Sequence, residues 1–101
     1  MKKNSSNYTL SIIIPCFNEI NTISEIIRRV KESCIKSKEI IIVDDCSTDG
    51  TKEFLKNINE ESIKVIFKSK NQGKGAAISK GIEFATGEIT IIQDADLEYD
   101  P

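Results

Sequence analysis

The stretch "EIIIVDD", residues 39–45, sets four β-branched residues in a row between one acid and two more. A half-solvated strand would alternate apolar with polar residues. This run does not alternate, so it suits a strand buried on both faces, as in a parallel sheet covered by helices. Upstream, "LSIIIPCF" (residues 10–17) has the same character, and downstream "IKVIF" (63–67) and "EITIIQ" (88–93) repeat it more briefly. The intervening segments read as helices. Thr22 is placed to cap the first, with Glu25 three residues on, and Ile23, Ile26, Ile27, Val30 and Cys34 at three-to-four spacing predict a helix reaching about residue 37. Ser47 or Thr48 is placed to cap a second helix carrying Phe54, Leu55 and Ile58. "KSKNQGKG" (68–75) leads into a third, with Ala77, Ile78, Gly81, Ile82 and Ala85 as its apolar stripe and Gly87 as its stop.

This alternation predicts an α/β fold: a Rossmann-like parallel sheet in the order β-α-β-α-β-α-β, with right-handed crossovers and helices on both faces. Residues 10–101 form its single domain, preceded by a disordered or extended tail at 1–9. With 101 residues, 39% hydrophobic and 30% charged, the chain has material for one modest core. Its 14 basic and 16 acidic residues give a net charge of −2 without a block of like charge, which argues against a nucleic-acid partner. Three cysteines without CxxC spacing point to neither a disulfide framework nor a zinc knuckle, and fit small packing residues in a reducing, cytoplasmic setting. No apolar run approaches the ~18 residues of a membrane span, so no transmembrane segment is expected within this chain.

In a parallel sheet, the segments that follow the strands gather along one edge, where ligands bind. Those segments are "PCFNE" (15–19), "DDCSTDG" (44–50), "KNQGKG" (70–75) and "DADLEYDP" (94–101). Glu19, Asp44, Asp45, Asp94 and Asp96 thus converge from three of them, facing a lysine and glycines from the fourth. Two carboxylates flanking one small residue can divide labour, one toward a sugar hydroxyl and the other toward a hard cation, Mg²⁺ or Mn²⁺, that completes its shell with phosphate oxygens. A nucleoside diphosphate is the natural source of those oxygens, and a bridging cation would offset the charge on a departing diphosphate. Each feature also has a purely structural reading. A DxD can be a solvated turn, the Asp44–Asp45 pair can serve a loop with Asp45 or Ser47 capping the next helix, and "GKG" can simply allow tight packing. The chain has no histidine, so Cys16 and Cys46 lack the usual base partner of a catalytic thiol.

"SIIIPCFNE", "IIIVDDCSTDGT", "KNQGKGAAISKGIEFATGEI" and "QDADLEYDP" resemble, in order and spacing, the nucleotide-binding half of family 2 glycosyltransferases, most closely the dolichol-phosphate mannose synthase-like, polyprenyl-phosphate sugar synthase branch. The resemblance covers residues 10–101. It implies a GT-A fold and inverting transfer of a hexose from a nucleotide sugar of the UDP-glucose or GDP-mannose class, with a polyprenyl phosphate as acceptor. By the same resemblance Pro15, Phe17 and Glu19 line the nucleoside pocket, and Asp45, or Asp44 in its place, contacts the base. Asn71, Gly73 and Lys74 border the pocket, Asp94 lies near the ribose, and Asp96 holds the metal against the diphosphate, with Asp94 beside it. The catalytic base is expected downstream of residue 101, so the isolated chain is expected to be inactive. The full-length protein would work in the cytoplasm or at the cytoplasmic face of a membrane, and an exposed sheet edge would drive self-association.

Three rivals share some of these features. A response-regulator receiver also ends a strand in paired acids that bind Mg²⁺, but after its first strand. A dinucleotide-binding dehydrogenase also places an acid after strand two, but needs a glycine fingerprint after strand one, where this chain has "PCFNE". A non-catalytic binding module would show no metal-dependent nucleotide binding.

Overall fold

The computed structural model describes residues 8–33 and 37–95. β1 (Leu10–Cys16), β2 (Lys38–Asp44), β3 (Ile63–Phe67) and β4 (Ile89–Ile92) alternate with α1 (Ile23–Lys31), α2 (Thr51–Lys56) and α3 (Lys74–Phe84). The strands form one sheet in the order β3-β2-β1-β4, all pairs parallel, with Ile12 opposite Ile40 on one side and Ile91 on the other. The chain therefore steps from β1 to β2 to β3 in one direction and then returns across the sheet to β4. With crossovers of one hand, that reversal sends α1 and α2 to one face and α3 to the opposite face.

The unbroken isoleucine runs now have a simple cause, because successive residues feed two different cores. Leu10, Ile12, Ile14, Cys16, Ile40 and Ile42 pack with Ile23, Ile26, Ile27 and Val30 of α1 and Leu55 of α2. Ile13, Ile41 and Val43 point the other way and meet Ala77 of α3. That second core is thin. A Cβ on Gly81 would sit 2.6 Å from a methyl of Ile13 and 3.3 Å from one of Val43, so the absence of a side chain is what lets α3 lie against the strands.

Several local expectations need correction. α1 ends at Lys31, well before residue 37, with Glu32 as its C-cap; Cys34 and the rest of 34–36 lie outside the described residues. Thr22 stands at the N-cap of α1 but makes no side-chain cap bond. Neither Ser47 nor Thr48 caps α2. The helix starts after Gly50, whose φ of 105 is a left-handed value, and the Ser47 hydroxyl donates to Asp44 instead. On α3, Ala77 and Gly81 are buried, but Ile82 is 54% exposed, because close packing through two small residues leaves only a narrow contact stripe. β4 is an edge strand with all four residues exposed. Among the described residues, no helix is long and apolar enough to cross a membrane.

At the end of the strands away from the site, fully buried Glu39 gathers a polar cluster. Its Oε2 accepts from the Ser11 hydroxyl (2.6 Å) and from the amide (2.6 Å) and hydroxyl (3.0 Å) of Thr86, while Oε1 lies 3.3 Å from Lys64 Nζ without a hydrogen bond of good geometry. Ser11 Oγ in turn accepts from Gly87 N–H. The α3–β4 turn is thereby fastened to β1 and β2. Burial raises the Glu39 pKa, but the bonds from Ser11 and Thr86 and the Lys64 cation outweigh it and hold the carboxyl below its ordinary range.

Candidate functional site

The reversal of strand order occurs between β1 and β4, and a crevice opens there beyond the strand ends. A cavity of about 330 Å³ occupies it. Pro15, Cys16, Phe17 and Glu19 form the wall that leaves β1; Asp45 comes from the end of β2; Asn71, Gly73, Lys74 and Ala77 come from the loop before α3 and its first turn; Asp94 and Ala95 follow β4. Pro15, Phe17, Glu19, Asp45, Asn71, Gly73, Lys74 and Asp94, all singled out from the sequence, thus share one concavity. Asp96 lies outside the described residues.

Asp44 is the exception. It is fully buried at the last position of β2 and does not line the cavity. Its two carboxylate oxygens accept from the amide (3.1 Å) and hydroxyl (2.5 Å) of Ser47, so it closes the turn rather than facing a ligand. The side-chain period of a strand sets adjacent acids on opposite sides, and only Asp45 turns toward the cavity. A receiver-like role for the pair, which needs both acids open to one cation, is inconsistent with this arrangement.

Asp45 is 3% exposed, and its carboxylate accepts from the amides of Gln72 (3.1 Å) and Gly73 (2.8 Å), with Lys68 Nζ 4.0 Å away. It fixes the loop that presents Lys74. Gly73 has φ 97 and ψ 166, a region essentially reserved for glycine, and from it the chain enters α3 with Ala77 N–H already bonded to the Gly73 carbonyl. Lys74 then ion-pairs across the cavity mouth with Asp94, both partners being more than half exposed.

The β1–α1 and β2–α2 loops are laced together. Asn18 N–H donates to Ser47 Oγ (2.9 Å), Glu19 N–H to Thr51 Oγ1 (3.1 Å), Ile20 N–H to Asp49 Oδ2 (3.2 Å) and Thr48 N–H to Asn18 Oδ1 (2.7 Å). Each loop turns through a left-handed residue, Asn18 (φ 53) and Cys46 (φ 68), which such cross-bonding holds in place. Burial raises the Asp49 pKa, but its bonds from the Thr51 hydroxyl and amide and the Ile20 amide prevail, leaving the carboxyl below its ordinary value. Ser47, Asp49 and Thr51 thus hold the two loops together beside the cavity; the sequence reading took Ser47 only as a helix cap and did not single out Asp49 or Thr51. The cluster of short hydrogen-bonding side chains in "CSTDGT" was the available signal.

Glu19 and Asp94 offer oxygen donors from opposite walls. The nearby Cys16 thiol is pushed up to about 12, first by burial and then by the charges of Asp44, Glu19 and Asp49, which disfavours the thiolate that would ligate a soft metal. Among the described residues, no three metal-ligating side chains come together. One or two carboxylates with room for phosphate oxygens is a donor set that fits Mg²⁺ or Mn²⁺.

Comparison with known proteins gives concordant results. The sequence profile described as "Glycosyl transferase family 2" matches residues 11–101. An undecaprenyl-phosphate 4-deoxy-4-formamido-L-arabinose transferase of Salmonella choleraesuis (strain SC-B67) is 35% identical over 98 residues, covering 91% of this chain and 30% of that protein. The chain thus spans about a third of the length of that relative. Among solved structures, TarS of S. aureus in complex with UDP superposes with a TM-score of 0.77 at 28% identity, over 87% of this chain and 27% of that one. The mannosyltransferase PcManGT from Pyrobaculum calidifontis, in complex with GDP-Man and Mn²⁺, gives 0.76 at 29% identity, over 86% and 27%.

Proposed function

Since the chain belongs to glycosyl transferase family 2, we propose that its cavity binds the nucleoside diphosphate of a sugar donor, together with a divalent cation, as the donor half of a glycosyltransferase. The observation that carries this reading is the meeting of Glu19, Asp45, Lys74 and Asp94 in one cavity where the strand order reverses. Pro15 and Phe17 offer an apolar wall for the base, and Phe17 keeps 43% of its surface open for stacking. Asp45 holds the Gln72–Gly73 amides and leaves the cavity side of its carboxylate for a base N–H. The first turn of α3 and Lys74 bring positive potential to the place of the diphosphate.

A bound Mg²⁺ or Mn²⁺ would supply charge stabilisation for the departing diphosphate. Asp94, with Asp96 beyond it as the resemblance implies, would hold that cation, and Lys74 would exchange its carboxylate partner for a phosphate oxygen. The solved relatives with UDP and with GDP-Man and Mn²⁺ support a nucleotide donor, and the undecaprenyl-phosphate transferase supports a polyprenyl phosphate as acceptor. Calorimetric titration with UDP and with GDP, each with and without Mn²⁺, tests the reading. One nucleotide binding in a metal-dependent way, with the dependence lost in Asp96→Ala, is expected; binding of neither under any condition would overturn it.

A further inference from the structure

We propose that Thr22 is a positioning residue for Asp94, acting through the Ala95 carbonyl; the consequence for donor binding rests on the function proposed above. Thr22 occupies the N-cap of α1, where a threonine hydroxyl ordinarily accepts from an amide of the first helical turn. It makes no such bond. Its Oγ1 instead lies 2.7 Å from the carbonyl oxygen of Ala95 and 3.1 Å from Glu19 Oε1. The hydroxyl proton goes instead to a residue distant in sequence that sits immediately after Asp94.

The segment itself shows why that contact matters. The ladder between β4 and β1 reaches Gln93, whose amide donates to the Ile13 carbonyl (2.9 Å). Ala95 is 4% exposed and belongs to the core under α1, so its methyl points inward while Asp94 remains at the surface. The Thr22 bond then fixes the carbonyl of the residue between the two acids. With Gln93 tied to β1 and Ala95 tied to Thr22 at the start of α1, the direction in which the Asp94 side chain leaves the backbone is set from both ends.

A hydroxyl has one proton, and both of its neighbours here are acceptors. Glu19 Oε1 and the Ala95 carbonyl therefore compete for that proton. A cation in the cavity that takes up the Glu19 charge leaves the proton to Ala95. Cation loading and the placement of Asp94 would therefore reinforce each other through Thr22.

The test compares wild type with Thr22→Val, which keeps the shape without the hydroxyl, and Thr22→Ser, which keeps the hydroxyl. Mn²⁺-dependent binding of UDP or GDP should weaken about tenfold in Thr22→Val, the scale of one lost hydrogen bond. Metal-free binding should stay unchanged, and Thr22→Ser should restore the metal effect. By NMR on the nucleotide-free protein, the Ala95 carbonyl carbon should shift upfield in Thr22→Val alone, and the wild-type Thr22 hydroxyl proton should exchange more slowly than a solvent-exposed one. Equal metal-dependent affinity in wild type and Thr22→Val overturns the proposal. If the wild type binds no nucleotide, the donor-site reading fails by itself and the NMR signatures still decide the tie. A Thr22 hydroxyl exchanging at the solvent rate in wild type refutes it even if Thr22→Val does not fold.

Discussion

Substituting Asp45→Asn replaces one acceptor oxygen with an amide that faces the N–H groups of Gln72 and Gly73. Loss of a charged, buried acceptor should lower stability by about 1–3 kcal/mol, read from the denaturant midpoint, and should weaken nucleotide binding by loosening the Lys74 loop. Asp44→Asn should show the opposite balance, with a comparable loss of stability from its bonds to Ser47 and little change in nucleotide affinity in the same titration. Lys74→Met separates binding from folding. Its ion pair with Asp94 is more than half exposed, so stability should change by no more than about 0.5 kcal/mol, while affinity for the diphosphate falls. The sequence left Asp44 and Asp45 as alternatives because adjacent acids at a strand end differ only in facing. Which one looks into the crevice depends on the exact last residue of β2, a boundary that no pattern of residue types fixes to one position.

Among the elements, α3 was the hardest to read. Its stripe of small and branched residues suggested five contact positions, but a helix pressed on the sheet through Ala77 and Gly81 has room for little else. Gly81→Ala would drive a methyl to 2.6 Å from Ile13, and should cost about 1–3 kcal/mol in chemical denaturation despite alanine's better helix propensity. The strands were legible because a run such as "IIIV" suits a strand buried on both faces, and so was the start of α1 at Thr22; the start of α2 was not, because Ser47 bonds to Asp44 and Asn18 and the helix begins only after Gly50. Acid should act on the turn between α3 and β4. The folded-state pKa of Glu39 lies below its unfolded value, so its contribution is fully present above the unfolded value, about 4.3, and is lost as pH falls through the folded one. The denaturant midpoint should hold level from pH 7 to about 5 and drop below that, with a shallower drop from a lower starting point in Glu39→Gln.

For the molecule as a whole, the strand order matters more than any single residue, since it opens the crevice and places the β1 and β4 walls on either side of it. The alternation of strand and helix called for a parallel sheet with its strand ends along one edge but left the strand order open, so only the former followed from the sequence. The inward position of Ala95 and the lacing of the two loops did not, because they depend on contacts across the fold. The same order leaves β4 at an edge, with Ile89, Ile91 and Ile92 between 42% and 57% exposed and no charged residue in the strand. Light scattering on the 101-residue chain should show concentration-dependent association, reduced by Ile91→Lys.

The placement of β1 also bears on how the protein is made. Leu10 to Ile13 leave the ribosome well before Ile89 to Ile92, the strand that completes one of their two flanks. Until then the most apolar strand has one open ladder, and a nascent chain held at that stage offers a chaperone its clearest target.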